Sequence, residues 1–355
     1  MKTKIEPVLT AMLASLAGVG LLAYPQQAAE GAKNGIGYCL DILIPSLFPF
    51  MVLAVFVVKC GLAGKLGNLL ERPVRFLFNL PGSAAAAILM SMVGGYPVGA
   101  RSIAALHAAG ELDDAQASRM LCFCVNAGPA FVISVVGIGF LKSAQAGMIL
   151  FASQVFSSTV LGLLCGLAAQ KLSSPPKKKS VPHTGGAEAL IRSANDAAHG
   201  MLSMCCFVVL FATVLGLIRL FLTEQTAVTW VSLFLEVTGG CADLAKLGAP
   251  LWVYSFAIGW GGLCVHFQIL SSLGNLKVGR TRFFAFRLFH GLFSALTSEV
   301  LCRIFPISRD VFLSNAPQLS GTFSSSGIAA AALALLCIFF LLCTTQKEVA
   351  FSRSK

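Results

Sequence analysis

Two ionisable side chains lie inside apolar stretches of this sequence, where a charge is energetically costly. Glu236 is one of few acids at such a position, and an acid inside a membrane segment is by default a functional candidate. We therefore predict that Glu236 binds a coupling ion, Na⁺ or H⁺. His266 titrates near neutral pH and can carry a proton or donate a hydrogen bond to an anion. The alternatives are that Glu236 is solvated near the outer interface and that His266 only packs against its neighbours.

Glycine- and proline-rich sequences interrupt four apolar stretches, at 94–101, 126–130, 236–243 and 259–268. Such breaks leave backbone N–H and C=O groups without helical partners, which lipid cannot satisfy but a polar solute or an ion can. The N-termini of half-helices also favour a bound carboxylate. The predicted substrate-binding residues all lie at these breaks: Gly94, Gly95, Tyr96, Pro97, Gly99, Arg101, Asn126, Gly128, Thr238, Gly239, Gly261, Gly262, His266 and Gln268.

Two of these side chains carry specific expectations. Asn126 can both donate and accept hydrogen bonds, so it is a candidate for a polar group of the substrate and, with Glu236, for the coupling ion. Arg101 offers a fixed positive charge to an anion, or it extends to the cytoplasmic surface as long basic side chains do. The glycines and prolines themselves have a simpler alternative, because small residues also allow close packing of membrane helices.

Several classes of function lack the residues that they require. No Gly-x-x-x-x-Gly-Lys-Ser/Thr or His-Glu-x-x-His pattern occurs, and Glu236 and Asp243 are seven residues apart with no evident partner base. We expect no enzyme activity, no cofactor and no resident metal. Most of the twelve cysteines lie inside apolar segments, where a free cysteine behaves as a small hydrophobic residue.

The composition requires an environment other than water for much of the surface. Hydrophobic residues make up 56% of the 355 residues and charged residues 12%, with a mean hydropathy of +0.81. A soluble domain carries about a quarter charged residues. The chain is therefore predicted to be an all-α integral membrane protein whose partner is the lipid bilayer. Its net charge of +11 does not indicate a nucleic-acid partner, because the basic residues lie between apolar runs.

Segment lengths predict about eight transmembrane helices plus two re-entrant hairpins in an inverted repeat. About 20 apolar residues cross the hydrocarbon core, so the short, interrupted stretches 83–109 and 230–247 are predicted to be hairpins. The stretch 61–80 has the pattern of an amphipathic interface helix. The predicted crossings are 7–23, 38–58, 117–140, 145–167, 201–222, 251–273, 283–305 and 327–343.

Basic residues orient this scheme, since cytoplasmic loops are rich in Lys and Arg. With both termini cytoplasmic, 20 of the 26 basic residues lie inside, Arg287 among them. The first hairpin then enters from inside and the second from outside. The predicted units are an N-terminal transmembrane helix and outer loop (1–36), a first repeat (37–170), a cytoplasmic basic linker (171–197), a second, inverted repeat (198–306), and a final helix and tail (307–355).

Inverted repeats with broken helices are typical of secondary transporters, which bind their substrate near the midplane where the breaks meet. Five segments also resemble those of the YlbJ (SpoVV) family of sporulation integral membrane proteins. They are Ile44-Pro-Ser-Leu-Phe-Pro-Phe50, Gly95-Tyr-Pro-Val-Gly-Ala-Arg101, Asn126-Ala-Gly-Pro-Ala-Phe131, Glu236-Val-Thr-Gly239 and Gly261-Gly-Leu-Cys-Val-His-Phe-Gln268.

The resemblance implies a nucleoside-recognition (Gate) domain, similar to parts of concentrative nucleoside transporters. It also implies transport of dipicolinic acid across the outer forespore membrane of the sporulating mother cell. A nucleoside or another small solute is the alternative substrate, and a non-transporting scaffold for spore cortex formation is the alternative function. A homo-oligomer is compatible with the sequence, although no interface is legible in it.

Overall fold

A computed structural model describes residues 2–169, 186–274, 276 and 278–307, and within these ranges the chain is helical and has no strand. Helices up to the end of the first repeat are α1 (Lys2–Ala23), α2 (Pro25–Gly37), α3 (Ile44–Lys59), α4 (Leu62–Leu69), α5 (Glu71–Phe78), α6 (Ala84–Val93), α7 (Tyr96–Ala108), α8 (Asp114–Leu121) and α9 (Ala144–Leu167). Those that follow are α10 (Gly186–Ile218), α11 (Gln225–Leu235), α12 (Val237–Leu247), α13 (Leu251–Trp260), α14 (Gly262–Ser272) and α15 (Arg280–Ile304). Two π-helical segments, Tyr38–Leu43 and Ala130–Phe140, complete the described elements.

Four helical segments are long and apolar enough to cross a membrane: Pro25–Val57, Ala144–Leu167, Gly186–Ile218 and Leu251–Ser272. Each overlaps a predicted crossing, so the all-helical membrane class is confirmed. The total of eight crossings, the re-entrant course of the two hairpins and the inverted orientation of the repeats stay predictions. The predicted final crossing at 327–343 lies outside the described residues.

The predicted outer loop before residue 37 is wrong in its local structure, because α2 occupies it. Helix α2 continues through the π-helical segment into α3 and so forms one apolar span. Pro45 explains the widened turn between them, since proline has no N–H to donate back along the helix. The preceding N–H, that of Ile44, bonds instead to the carbonyl of Cys39, five residues earlier.

Helix α10 also begins earlier than predicted. It starts at Gly186, inside the segment 171–197 that was predicted to be a linker, and residues 171–185 of that segment lie outside the described ranges. It packs along α2 through small residues. Gly31 faces the backbone of Ala212, and Gly35 faces that of Val209, so a side chain on either glycine would collide with α10. This close approach is the small-residue packing that membrane helices use in place of a hydrophobic driving force.

The two predicted hairpins each contain two short helices, as expected. Helices α6 and α7 pack against each other on either side of Gly94–Gly95, and α11 and α12 do so on either side of Glu236. The predicted interface helix at 61–80 is two short helices, α4 and α5. Helices α9, α13 and α15 pack together and bring the ends of the two repeats into contact.

Candidate functional site

The second repeat leaves its helical path at Glu236, between α11 and α12. The Glu236 carboxylate caps α12: Oε1 accepts the N–H of Thr238 at 2.8 Å and Oε2 accepts that of Gly239 at 2.6 Å. A carboxylate at a helix N-terminus satisfies free N–H groups and interacts favourably with the helix dipole. With the side chain only 2% exposed, the acid is held deep inside the protein.

A second break, at Gly261 between α13 and α14, lies directly against the first. Gly261 and Gly262 have φ values of +84° and +76°, a backbone region that glycine adopts without strain. A Cβ added to Gly262 would lie 3.0 Å from the carbonyl oxygen of Leu235 and 3.2 Å from Cα of Glu236. The sequence predicted both breaks, and the structure brings them together.

The breaks of the first repeat also meet. Residues 122–128 form a non-helical segment between α8 and the second π-helical segment, which we call the Asn126 segment. A Cβ added to Gly128 would lie 3.1 Å from the backbone nitrogen of Gly95, so this segment passes directly over the α6–α7 break. Gly99, one turn into α7, faces the carbonyl of Cys124 in the same segment.

Asn126 anchors this segment in the protein interior. Its Nδ2 lies 3.0 Å from the carbonyl oxygen of Phe123, 3.1 Å from Ser158 Oγ and 3.3 Å from Ser91 Oγ. Its Oδ1 is buried and has no hydrogen-bond partner among the described residues. Buried polar atoms are seldom left unpaired, so this acceptor has the capacity to bind a donor that the polypeptide does not supply.

One hydroxyl group joins the breaks of the two repeats. Tyr96, the first residue of α7, donates its O–H to the carbonyl of Ile258 on α13 at 2.5 Å. That carbonyl is free because the chain turns away at Gly261, whose own N–H bonds to Ala257. Helix α7 also packs against α14, and α12 against the second π-helical segment. The four interrupted regions are therefore contiguous.

The remaining predicted residues divide into two groups. His266 is fully buried beside the Gly261 break, where its Nε2 lies 2.7 Å from the Trp260 carbonyl and its ring packs edge-on against Trp260 and Phe284. A carbonyl can only accept, so Nε2 carries the proton. Gly94, Pro97, Thr238 and Gly239 lie at the breaks as predicted.

Arg101 points away from these breaks, whereas Gln268 is buried on α14, the helix that follows the Gly261 break. Arg101 lies 3.3 Å from the carbonyl of Asp196, whose side chain forms an ion pair with Lys59 at 2.7 Å. This position agrees with the surface alternative for Arg101. Gln268 donates to the sulfur of Cys264, within its own helix.

A polar cavity of about 210 Å³ opens beside Glu236. It lies between α2, α10 and the start of α12, and its polar lining comes from Gln27, Glu30, Asn34, Tyr38, Arg219 and Glu236. Sequence analysis missed the contribution of α2 because it assigned that stretch to a loop. The signal was present, since Gln27, Glu30, Asn34 and Tyr38 are spaced three, four and four residues apart, as on one helix face.

An ion-pair cluster lies behind this cavity. The Asp243 carboxylate, fully buried on α12, accepts from Arg219 at 2.6 Å, from Lys246 at 3.0 Å and from Ser232 at 3.0 Å. Asp243 therefore has its own countercharges, whereas among the described residues Glu236 has neutral donors, from Thr238 and Gly239. Within the described ranges, no group of three or more His, Cys, Asp or Glu side chains is placed to hold a metal ion.

Arg287 is a second case, after the α2 stretch, in which the structure differs from the expectation from sequence. It was counted with the cytoplasmic basic residues, but the structure places it on α15 with 1% exposure. Its guanidinium donates to the carbonyl of Val125 in the Asn126 segment and to Nδ1 of His290. Counting charges by segment assumes that every Lys or Arg near the end of an apolar stretch is solvated. The burial of Arg287 becomes evident only when α15 is packed against the Asn126 segment.

The chain is 23% identical over 335 residues to the sporulation integral membrane protein YlbJ of Bacillus subtilis (strain 168), an alignment that covers 83% of this chain and 82% of that protein. No protein-family model matches the chain, and no solved structure matches it significantly. The similarity supports the resemblance to the YlbJ family, while the nucleoside-recognition domain stays a prediction. Together with the four apolar spans, it supports the conclusion that this chain is an integral membrane protein.

Proposed function

We propose that this chain is a sporulation-associated secondary transporter that moves a small anionic solute across a membrane. The observation that carries the proposal is the contact between the breaks of the two repeats, made by Tyr96 and the Ile258 carbonyl. Interrupted helices that meet inside a membrane protein are where secondary transporters hold their solutes. A scaffold has little need for non-helical backbone at that depth, because each unpaired group there is costly.

Glu236 is the proposed coupling site for H⁺ or Na⁺. The polar cavity between α2 and α10 reaches this carboxylate, which gives an ion a route from outside the protein body to the α12 cap. Glu30, Tyr38 and Arg219 line the same cavity, and Asp243 lies behind it, so these are charged or titratable groups near the carboxylate. The thiols of Cys39, Cys241 and Cys264 are also close to it. Among the described residues, the groups that donate to the Glu236 oxygens are the backbone N–H groups of Thr238 and Gly239 and the Thr238 side chain. None of them is a cation, so a bound ion would supply the countercharge that this carboxylate lacks.

Dipicolinate is the favoured substrate. The similar protein of Bacillus subtilis is named for sporulation and for the membrane, and the five resembling segments imply dipicolinate transport. On this proposal both termini are cytoplasmic and the protein resides in the outer forespore membrane. A nucleoside is the second candidate substrate, and a non-transporting scaffold for cortex formation is the competing function.

Reconstitution in liposomes tests the transport proposal. Uptake of dipicolinate, of uridine as the candidate nucleoside and of ferrous iron as a small solute of the opposite charge is measured under an inward H⁺ gradient, under an inward Na⁺ gradient and with no gradient. We expect gradient-driven uptake of dipicolinate. No uptake of any of the three solutes under any condition would contradict transport and favour the scaffold.

The variant Glu236→Gln tests the coupling site. A glutamine retains one oxygen to cap α12 but cannot exchange a proton or balance a cation, so we expect uptake without dependence on the gradient. Glu299→Gln is the matched control, because Glu299 lies on the exposed face of α15 and pairs only with Arg303 among the described residues. Gradient-dependent uptake by Glu236→Gln at the wild-type rate would remove Glu236 from the mechanism.

A further inference from the structure

Arg287 is the largest fully buried side chain in the described part of the protein. It lies in the second turn of α15 and points towards the Asn126 segment, where its guanidinium donates to the carbonyl of Val125. This carbonyl belongs to non-helical backbone and has no helical partner to accept from. Arg287 therefore links α15 to the first-repeat break.

Among the described residues, the charge of Arg287 has no counterion. No carboxylate among the described residues lies within 4.0 Å of its nitrogens, although six ion pairs occur elsewhere in those ranges. Among the described residues, the titratable groups that interact with it electrostatically include no carboxylic acid; they are Tyr96, Cys122, Cys124, His266 and His290. A buried charge is normally paired, because transfer out of water is costly.

His290 does not supply the missing charge. Its Nε2 lies 3.2 Å from the carbonyl of Gln154, which can only accept, so Nε2 carries the proton. Its Nδ1 in turn accepts from Arg287, and the imidazole is the neutral tautomer. Beyond it, Gln154, Ser255 and Ser294 continue a network of neutral groups between α9, α13 and α15.

Two buried polar atoms lie unpaired where this hydrogen-bond network reaches the Asn126 segment, as far as the described residues go. Within the described ranges, Nε of Arg287 is a buried donor without a partner, and Oδ1 of Asn126, on the residue next to Val125, is a buried acceptor without one. The donor suits an anionic oxygen, whereas the acceptor suits a water molecule or an N–H or O–H group of a solute. A cation and these two unpaired atoms thus lie around one break.

We propose that Arg287 binds the anionic group of the transported solute, a small carboxylate, at the Asn126 segment. This inference rests on the proposed transport function and deepens it by naming the residue that recognises the charge. Arginine suits the role because its guanidinium is permanently charged and matches the geometry of a carboxylate. The Arg287 guanidinium is buried in this conformation, so a solute reaches it only after the conformational change that transport itself requires.

Ligand-dependent thermal stability of the purified protein in detergent tests this inference without relying on transport. The probes are dipicolinate, with two carboxylates, and its uncharged diamide, which has the same ring. For the wild type we expect the unfolding midpoint to rise with dipicolinate concentration and to rise much less with the diamide.

The variants Arg287→Gln and Arg287→Lys separate charge from packing. We expect Arg287→Gln to weaken dipicolinate binding roughly tenfold or more and to remove the preference over the diamide, while Arg287→Lys retains part of that preference. Arg303→Gln is the control, since Arg303 lies on the same helix with its side chain 78% exposed. This control should bind dipicolinate as the wild type does.

The outcomes separate this inference from the proposed function. If the wild type neither binds nor takes up dipicolinate, the proposed substrate fails, and the proposed function fails with it when uridine and ferrous iron are not taken up either. If the wild type takes up dipicolinate and Arg287→Gln binds it with unchanged affinity, only the role of Arg287 fails. Should Arg287→Gln not fold, equal binding of dipicolinate and diamide by the wild type would overturn the inference by itself.

Discussion

The chain leaves its helical path in two buried regions, and different groups satisfy the freed backbone in each. Around the Asn126 segment the Phe123 carbonyl accepts from the Asn126 amide and the Ser158 hydroxyl, and the Val125 carbonyl accepts from the cation of Arg287. Around Glu236 the partner is a carboxylate that caps α12. The two predicted repeats therefore differ: among the described residues, the break of the first lies beside a positive charge without a counterion, and the break of the second carries an acid.

This difference gives the two regions separate tasks under the proposed function. The first-repeat break attracts an anion, and the second-repeat break holds a proton or a cation. A symmetrical pair of breaks would offer the same chemistry twice and could not couple two unlike solutes. The Tyr96–Ile258 hydrogen bond connects the regions, so a shift of α7 at one break moves a group that is bonded to the helix preceding the other.

The largest expected effect comes from distorting the first-repeat break. Gly95 has φ +83° and ψ −176°, a combination essentially restricted to glycine, so we expect Gly95→Ala to lower the free energy of unfolding by about 3 kcal/mol. Reversible unfolding in SDS, followed by circular dichroism, measures this change.

Gly274→Ala is the control for Gly95→Ala. Gly274 also has a positive φ, +58°, but open space surrounds it, so we expect a cost of about 1 kcal/mol. Equal costs for the two variants would mean that the backbone at Gly95 is not constrained as described.

A smaller effect is expected from cutting the bond between the two regions. Tyr96→Phe removes the hydroxyl and leaves the Ile258 carbonyl buried without a partner, which should cost about 2 kcal/mol in the same unfolding experiment. Tyr24→Phe is the control: Tyr24 is exposed and contacts the ring edge of Phe221, so its change should stay below about 0.5 kcal/mol. A Tyr96→Phe protein as stable as the wild type would show that the regions are not joined through this hydroxyl.

The smallest effect concerns the ion-pair cluster behind the second-repeat break. Asp243→Asn weakens hydrogen bonds to Arg219 and Lys246, and because both cations are partly exposed we expect a cost of about 1 kcal/mol that shrinks as salt is added. Unfolding at low and high ionic strength measures it, with the exposed Glu299→Gln as a control near zero. A cost that does not change with salt would contradict an electrostatic origin.

The positions of the breaks could be predicted from the sequence because their causes are local. Glycine and proline disfavour helix wherever they stand, so Gly95, Asn126–Pro129, Glu236 and Gly261 could be identified as interruptions without knowledge of the fold. Their mutual contact was expected only by analogy with inverted-repeat transporters. The structure supplies the bonds that make this contact.

The errors arise where a residue's environment is set by a distant element. Arg287 looks like an interfacial cation until α15 is packed against the Asn126 segment. The α2 stretch looks like a loop because its glycines and polar residues are read singly, whereas Gly31 and Gly35 are packing positions against α10. Periodicity would have found the helix, but not the cavity that its polar face lines.

Under the proposed transport function, the Tyr96–Ile258 bond also constrains how the protein would alternate between an opening on one side of the membrane and an opening on the other. It ties α7 of the first repeat to α13 of the second, so the two repeats cannot rock past each other as intact blocks while the bond persists. Either this hydroxyl changes its acceptor in every cycle, or α7 and α13 travel as one mobile unit against a frame formed by the other helices.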